Sequence, residues 1–145
     1  MTINRQVYAT HRFWVEIDGI TEAVFSECSG LQADTEVLSW EEGGMNSYVH
    51  QLPGRTKFSN LTLKRGIGTS TLWDWFSAVS LGRGTRRNLS IVLQGYLPRG
   101  GTATLVRWNV TGALPIKWTG PSLRTDSNEA ALETLELIHQ GFVRV

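Results

Sequence analysis

The chain has 145 residues, of which 41% are hydrophobic and 19% charged, with a formal net charge of +1. That length suits one domain with a sizeable core and is short for two, and the composition excludes disordered and collagen-like classes. Near balance of charge removes any general electrostatic reason to bind nucleic acid or an anionic membrane, although Arg83, Arg86 and Arg87 form a local basic cluster, read first as a solvated loop. In chain order, Phe13, Val15 and Ile17 alternate with Trp14, Glu16 and Asp18, the period of a strand with one face on a core. Cys28 is the single cysteine and has no disulfide partner in the chain. In a strand it shares a face with Val24 and Ser26, as a small core residue would.

From Ser39 to Ser59 no compact turn joins two matched strands. A long polar, glycine-rich excursion in a small domain is usually functional or meets a partner, with a plain surface loop as the alternative. Within it Pro53-Gly54 predicts a turn, since proline sets its own φ and glycine accepts the φ a tight turn needs. Leu61 and Leu63 then alternate with Asn60, Thr62 and Lys64 as a strand that Gly66 and Gly68 end. The period changes next. Thr71 with Asp74 three residues on resembles a capping pattern, and Leu72, Trp73, Phe76, Val79 and Ser80 recur every three to four residues, which predicts a helix over about 70–81.

Two further alternations follow, at Leu89, Ile91 and Leu93 and across the stretch 105–112. Near the C-terminus, Leu132, Leu135 and Ile138 sit at helical spacing behind a possible cap at Asp126 or Ser127, while Thr134 and Val143 also permit a strand. Pattern alone slightly favours helix there. Many short strands, one helix and glycine or proline breaks at strand-sized intervals predict a mainly β protein, an antiparallel sandwich or barrel forming a single domain over residues 1–145.

The run LPGRTKFSNLTLKRGIGTSTLWDWFSAV, residues 52–79, resembles closely the inner-tube proteins of contractile phage tails and contractile injection systems, whose chains carry an LPGRTK turn, a TLKRG strand and an LWDW helix in this order. The front of the chain, from Arg12 through Gly44, is similar to that family's opening strands. VRWNVTGALPIKWTGPSL and NEAALETLELIHQGFVRV are similar to its closing ones. His139-Gln140-Gly141 departs from the family's usual His-Glu-Gly, and the tip from Tyr96 to Gly101 also differs. The resemblance implies a C-terminal strand beginning near Glu129 rather than a helix, and a ring-shaped barrel closed by a hexamer. It also implies rings stacked into a tube inside a sheath protein, baseplate and spike proteins at the end, and effector protein or DNA as lumen cargo. The excursion at about 41–59 becomes an arm between stacked rings.

No catalytic frame is evident. His11, His50 and His139 stand in no Ser-His-Asp or Cys-His pattern, and the carboxylate pairs Glu41-Glu42 and Glu133 with Glu136 carry no spacing that fixes a sugar between them. Gly66 to Ser70 precedes a helix but lacks the lysine of a phosphate loop. No enzymatic activity, cofactor or metal is expected. Six tryptophans allow a carbohydrate-binding β-sandwich as the alternative; the competing account puts Trp73 and Trp108 in the core and covers others where subunits meet. Candidate inter-subunit contacts are Glu41, Glu42, Gly43, Gly44, Pro53, Gly54, Arg55, Lys57, Lys64 and Arg65. Leu61, Leu63, Leu72, Trp73 and Phe76 are expected to pin the helix to the sheet. The first residues show no charged-then-apolar leader and no run of the ~20 apolar residues a spanning helix needs, so the expectation is cytoplasmic synthesis without a signal peptide and without membrane insertion.

Overall fold

The computed structural model describes residues 11–20, 25–40, 50–126, 128 and 130–145. Val24, Glu129 and the expected arm residues Glu41, Glu42, Gly43 and Gly44 lie outside them. The described elements are β1 (His11–Ile17), β2 (Glu27–Ser29), β3 (Ala33–Trp40), β4 (His50–Phe58), β5 (Leu61–Gly66), α1 (Thr71–Ser80), β6 (Arg87–Tyr96), β7 (Thr102–Thr119), β8 (Leu132–Ile138) and β9 (Phe142–Arg144).

Six strands run in the order β1-β6-β7-β8-β5-β2, all antiparallel, with β9 also on β7. Alternation placed β1, β5 and β6 because one face of each is buried: Val15 and Ile17, Leu61 and Leu63, and Leu89 and Ile91 all point into one core cluster. β1 and β5 stand far apart in the strand order yet share that cluster, so the sheet curls around it in the manner of a sandwich or barrel. The 18-residue β7 is common to both halves: up to Ala113 it pairs with β6, and from Leu114 it pairs with β8. β8 and β9 form one interrupted partner of β7, since Gln140 N–H donates to the Thr111 carbonyl and Thr111 N–H to that of Gly141 between them.

The C-terminal segment is strand, as the resemblance implied and the leucine spacing did not. The residues buried along β8 are Glu133, Leu135 and Leu137, a period of two that a charged residue interrupts. Helix α1 lies within the predicted 70–81, with Ser70 rather than Thr71 at its N-cap. The Ser70 hydroxyl donates to the Asp74 carboxylate rather than making a capping bond. At the other end Gly82, at φ 75, closes a Schellman motif, with Gly82 N–H on the Val79 carbonyl and Arg83 N–H on that of Ala78.

The Pro53-Gly54 turn is not formed. Both residues lie within β4, where Pro53 faces Val37, and the register shift between Thr35 and Val37 sets two β4 residues, Gly54 and Arg55, against Glu36. A two-stranded ribbon has only edge strands, and proline is tolerated on an edge or at a bulge, where its missing N–H costs no ladder bond. The excursion expected to lack matched strands is thus one arm of a hairpin that starts earlier, at Ala33.

Candidate functional site

The β3–β4 hairpin is a separate two-stranded sheet, and every residue of β3 is exposed. A ribbon of this kind is marginally stable alone, and it carries large apolar side chains into water: Val37 is 60% exposed, Trp40 53%, and Leu38 and Leu52 50% each. Registers Leu38↔Leu52 and Trp40↔His50 place Leu38, Leu52, Trp40 and His50 on one face, with the Trp40 and His50 rings 5.4 Å apart and Val37 on the other face. Covering a large apolar side chain fully is worth roughly 1.5–3 kcal/mol, so this face is a sizeable unused driving force for association.

The root of the hairpin is held more firmly. The Phe58 ring meets Phe142 edge-on at 5.2 Å and lies 5.9 Å from His139. His139 Nε2 is 2.8 Å from the Ser59 carbonyl oxygen, and Gly141 N–H donates to His139 Nδ1 at 3.1 Å. Gly141, at φ 123, holds a backbone conformation that favours glycine, and a Cβ there would also crowd the Phe58 ring at 3.0 Å.

The expected contact residues divide. Pro53, Gly54, Arg55 and Lys57 all lie on β4, with Lys57 in register with Asp34. Lys64 is on the body, 3.5 Å from Glu27 across β5 and β2. Arg65 is no surface contact: it is 4% exposed, its Nε donates to Glu133 Oε1, and its Nη2 donates to the Thr69 carbonyl at 2.9 Å. Glu133 in turn accepts from Trp118 Nε1 at 3.0 Å, so β5, β7, β8 and the approach to α1 meet at one buried ion pair. Charges that leave water must be paired and hydrogen-bonded, and this pair is both.

Leu61, Leu63 and Leu72 are buried as expected and Phe76 packs against the core, but Trp73 is 44% exposed and the buried helix tryptophan is Trp75, whose Nε1 donates to the Thr85 carbonyl at 3.0 Å. Leu72, Trp75, Phe76 and Val79 form the stripe three and four apart that a helix buries, and spacing counted from Leu72 rather than Trp73 finds it. Trp108 packs on the core, and Trp73 meets Trp118 edge to face at 4.9 Å, an arrangement that offers no flat sugar platform.

The other candidate chemistry is taken up structurally. Two residues of the basic cluster serve backbone carbonyls, Arg86 that of Gly112 at 2.9 Å and Arg87 that of Asp18 at 2.7 Å. The Arg87 guanidinium also lies 5.8 Å from the Trp75 ring centre. Glu133 and Glu136, three apart on a strand, face opposite sides, and Glu136 accepts from the Asn60 side-chain amide. Burial pushes the Cys28 thiol up to about 11, away from nucleophilic character.

A core of its own together with an uncovered apolar ribbon fits a structural subunit that other chains complete. The model of the T4-like virus tail tube protein gp19 family matches residues 9–143, and the chain belongs to that family. Among solved structures it is similar to a chain of the anti-feeding prophage baseplate, at 28% identity and TM-score 0.74, covering 94% of this chain and 93% of that one. It is also similar to a chain of an extracellular contractile injection system in its PVC sheath-tube complex, extended state, at 27% identity and TM-score 0.77, covering 96% and 89%. An Hcp protein shares the fold at 11% identity and TM-score 0.61, covering 94% and 92%. A comparison with characterised protein sequences returned no match. The chain is accordingly a structural subunit of the inner tube of a contractile tail or injection system.

Proposed function

We propose that this subunit closes with further copies into a hexameric ring, that rings stack into a hollow tube inside a contractile sheath, and that contraction drives the tube through a target envelope with protein or DNA cargo in its lumen. Baseplate and spike proteins are the proposed partners at the leading end, and the particle is a phage tail or a phage-tail-like device. The subunit acts mechanically, without catalysis.

The observation that carries this reading is the exposed apolar face of the β3–β4 hairpin on a body whose core is already complete. The hairpin is the proposed arm between rings, with Arg55 and Lys57 of β4 and the segment from Glu41 to Gly44 as its polar contacts, and Lys64 as a contact on the body. Heterologous contacts that repeat around an axis close into rings, and closure satisfies sheet edges that otherwise invite aggregation.

The test is negative-stain electron microscopy of the purified protein beside a variant in which 34–57 is replaced by a short Gly-Ser turn. Ala33 and Phe58 are register partners, so the body can be closed there. Rings and tubes from the full chain, with a folded variant that does not extend tubes, are expected. Tubes of normal length from the shortened variant would remove the arm from the proposal.

A further inference from the structure

We propose that Asp18 is a site of slow, self-driven backbone modification, at which the chain rearranges to isoaspartate through a cyclic imide, and that Arg87 directs the reaction. Asp18-Gly19 is the one place in the sequence where an aspartate or asparagine precedes glycine. The backbone nitrogen that attacks there belongs to a residue with no side chain to hinder ring closure. Ile20 N–H donates to the Ile17 carbonyl at 2.9 Å, so Asp18 and Gly19, both exposed, are the two central residues of a turn. Gly19, at φ 76, supplies the positive φ that a type II turn needs. Among the described residues Gly19 N–H donates to no acceptor, so its nitrogen is not held in a hydrogen bond.

Arg87 separates this turn from an ordinary Asp-Gly pair. Its Nη1 donates to the Asp18 carbonyl at 2.7 Å, and that carbonyl and the Gly19 N–H belong to one peptide unit. A cation on the oxygen eases loss of the proton on the nitrogen. The guanidinium lies this close because residue 19 has no Cβ, which would collide with Nη1. In the first step Gly19 N bonds to Asp18 Cγ, while its proton, one carboxyl oxygen and a proton from solvent leave as water. In the second, water adds to the Asp18 α-carbonyl carbon and the original C–N bond breaks. The nitrogen takes back a proton and stays on Cγ, and the freed α-carboxyl returns one to solvent. Arg87 Nη1 already stands at the oxygen that turns negative as water adds, and so steers the water to this carbonyl. The product then offers a carboxylate, in place of a carbonyl, to a guanidinium whose Nε is buried without a hydrogen-bond partner. Water has access from two sides, through a cleft of about 270 Å³ lined by Gly19 and Arg87 and one of about 310 Å³ lined by Asp18 and Asn88. The rearranged main chain carries one more methylene between Ile17 and Ile20, both core residues, so modified subunits should unfold at lower urea. The chemistry rests on one chain and is independent of the tube reading.

Storage of the folded protein at neutral pH in water enriched in oxygen-18 tests it, because passage through the imide leaves one solvent oxygen in residue 18. Fragments are read by mass spectrometry, with a protease that cuts before aspartate but not before isoaspartate to tell the products apart. Label should accumulate at Asp18, mostly as isoaspartate, while Asp34, exposed and followed by threonine, stays unlabelled. Asp18→Glu, one methylene too long for the five-membered ring, should take up none. Arg87→Gln keeps a neutral donor and should slow labelling about fivefold, the difference between a charged and a neutral hydrogen bond. An unlabelled Asp18 in the folded wild type, or labelling in Arg87→Gln as fast as in the wild type, overturns the proposal. Should Arg87→Gln not fold, the wild type stored in urea decides: without the turn the ratio of isoaspartate to aspartate should fall, and an unchanged ratio overturns the steering by Arg87.

Discussion

The body and the hairpin of this subunit obey different rules. In the body, Leu61, Leu63, Leu135 and Leu137 are wholly buried and lie in register across β5 and β8, so each strand's pattern is answered within the chain. In the hairpin, Leu38, Leu52 and Trp40 are about half exposed and nothing described in the chain covers them. The difference separates two burdens on one sequence: the body residues decide whether the subunit folds, and the hairpin residues are the ones proposed to decide what it joins.

Substitutions should therefore split into two sets, and the largest loss belongs to the buried ion pair. Arg65→Ala leaves the Glu133 carboxylate without its cationic partner inside the core and should cost about 3–5 kcal/mol, read as a fall in the urea midpoint. A loss below about 1 kcal/mol would mean that water reaches the pair. Leu63→Ala removes a fully buried side chain and should cost about 2–5 kcal/mol in the same experiment. Lys64→Ala breaks a partly exposed ion pair with Glu27 and should change stability by less than about 1 kcal/mol. Smallest on this scale is Leu38→Ser with Leu52→Ser, within about 0.5 kcal/mol on the isolated subunit. That pair should nonetheless reduce sedimentable tubes sharply. If it destabilises the subunit as much as Leu63→Ala does, the hairpin belongs to the fold and the division fails.

The same division governs what the sequence made legible. β1, β5 and β6 read correctly because one face of each is buried inside the chain, which imposes a period of two. β3 and β4 have no face buried against the body, so ADTEVLSW and HQLPGRTKF carry no alternation, and Pro53-Gly54 read as a turn although it forms a bulge. β8 hid for another reason. Its inward positions are Glu133, Leu135 and Leu137, and a glutamate at an inward position leaves Leu132, Leu135 and Ile138 as the visible spacing, which mimics a helix. Arg65, inward on β5 and directly opposite Glu133, read as a surface cation for the same reason: a pattern of polar and apolar residues cannot show that two charges 68 residues apart neutralise each other. Trp75 was passed over because its neighbour Trp73 fits a helical stripe nearly as well. The polar contacts proposed for the arm rest on family resemblance, since nothing in the pattern of β4 singles out Arg55 or Lys57.

The pairing of Arg65 with Glu133 also constrains how such a protein can diverge. Losing either charge alone strands the other in the core, whereas exchanging both for apolar residues of similar volume is often neutral or stabilising. Stepwise drift through either single variant passes through a destabilised chain. The two positions are therefore expected to covary across tube proteins, charged together or apolar together, and a mixed lineage should carry a compensating cation or acid supplied from a third strand.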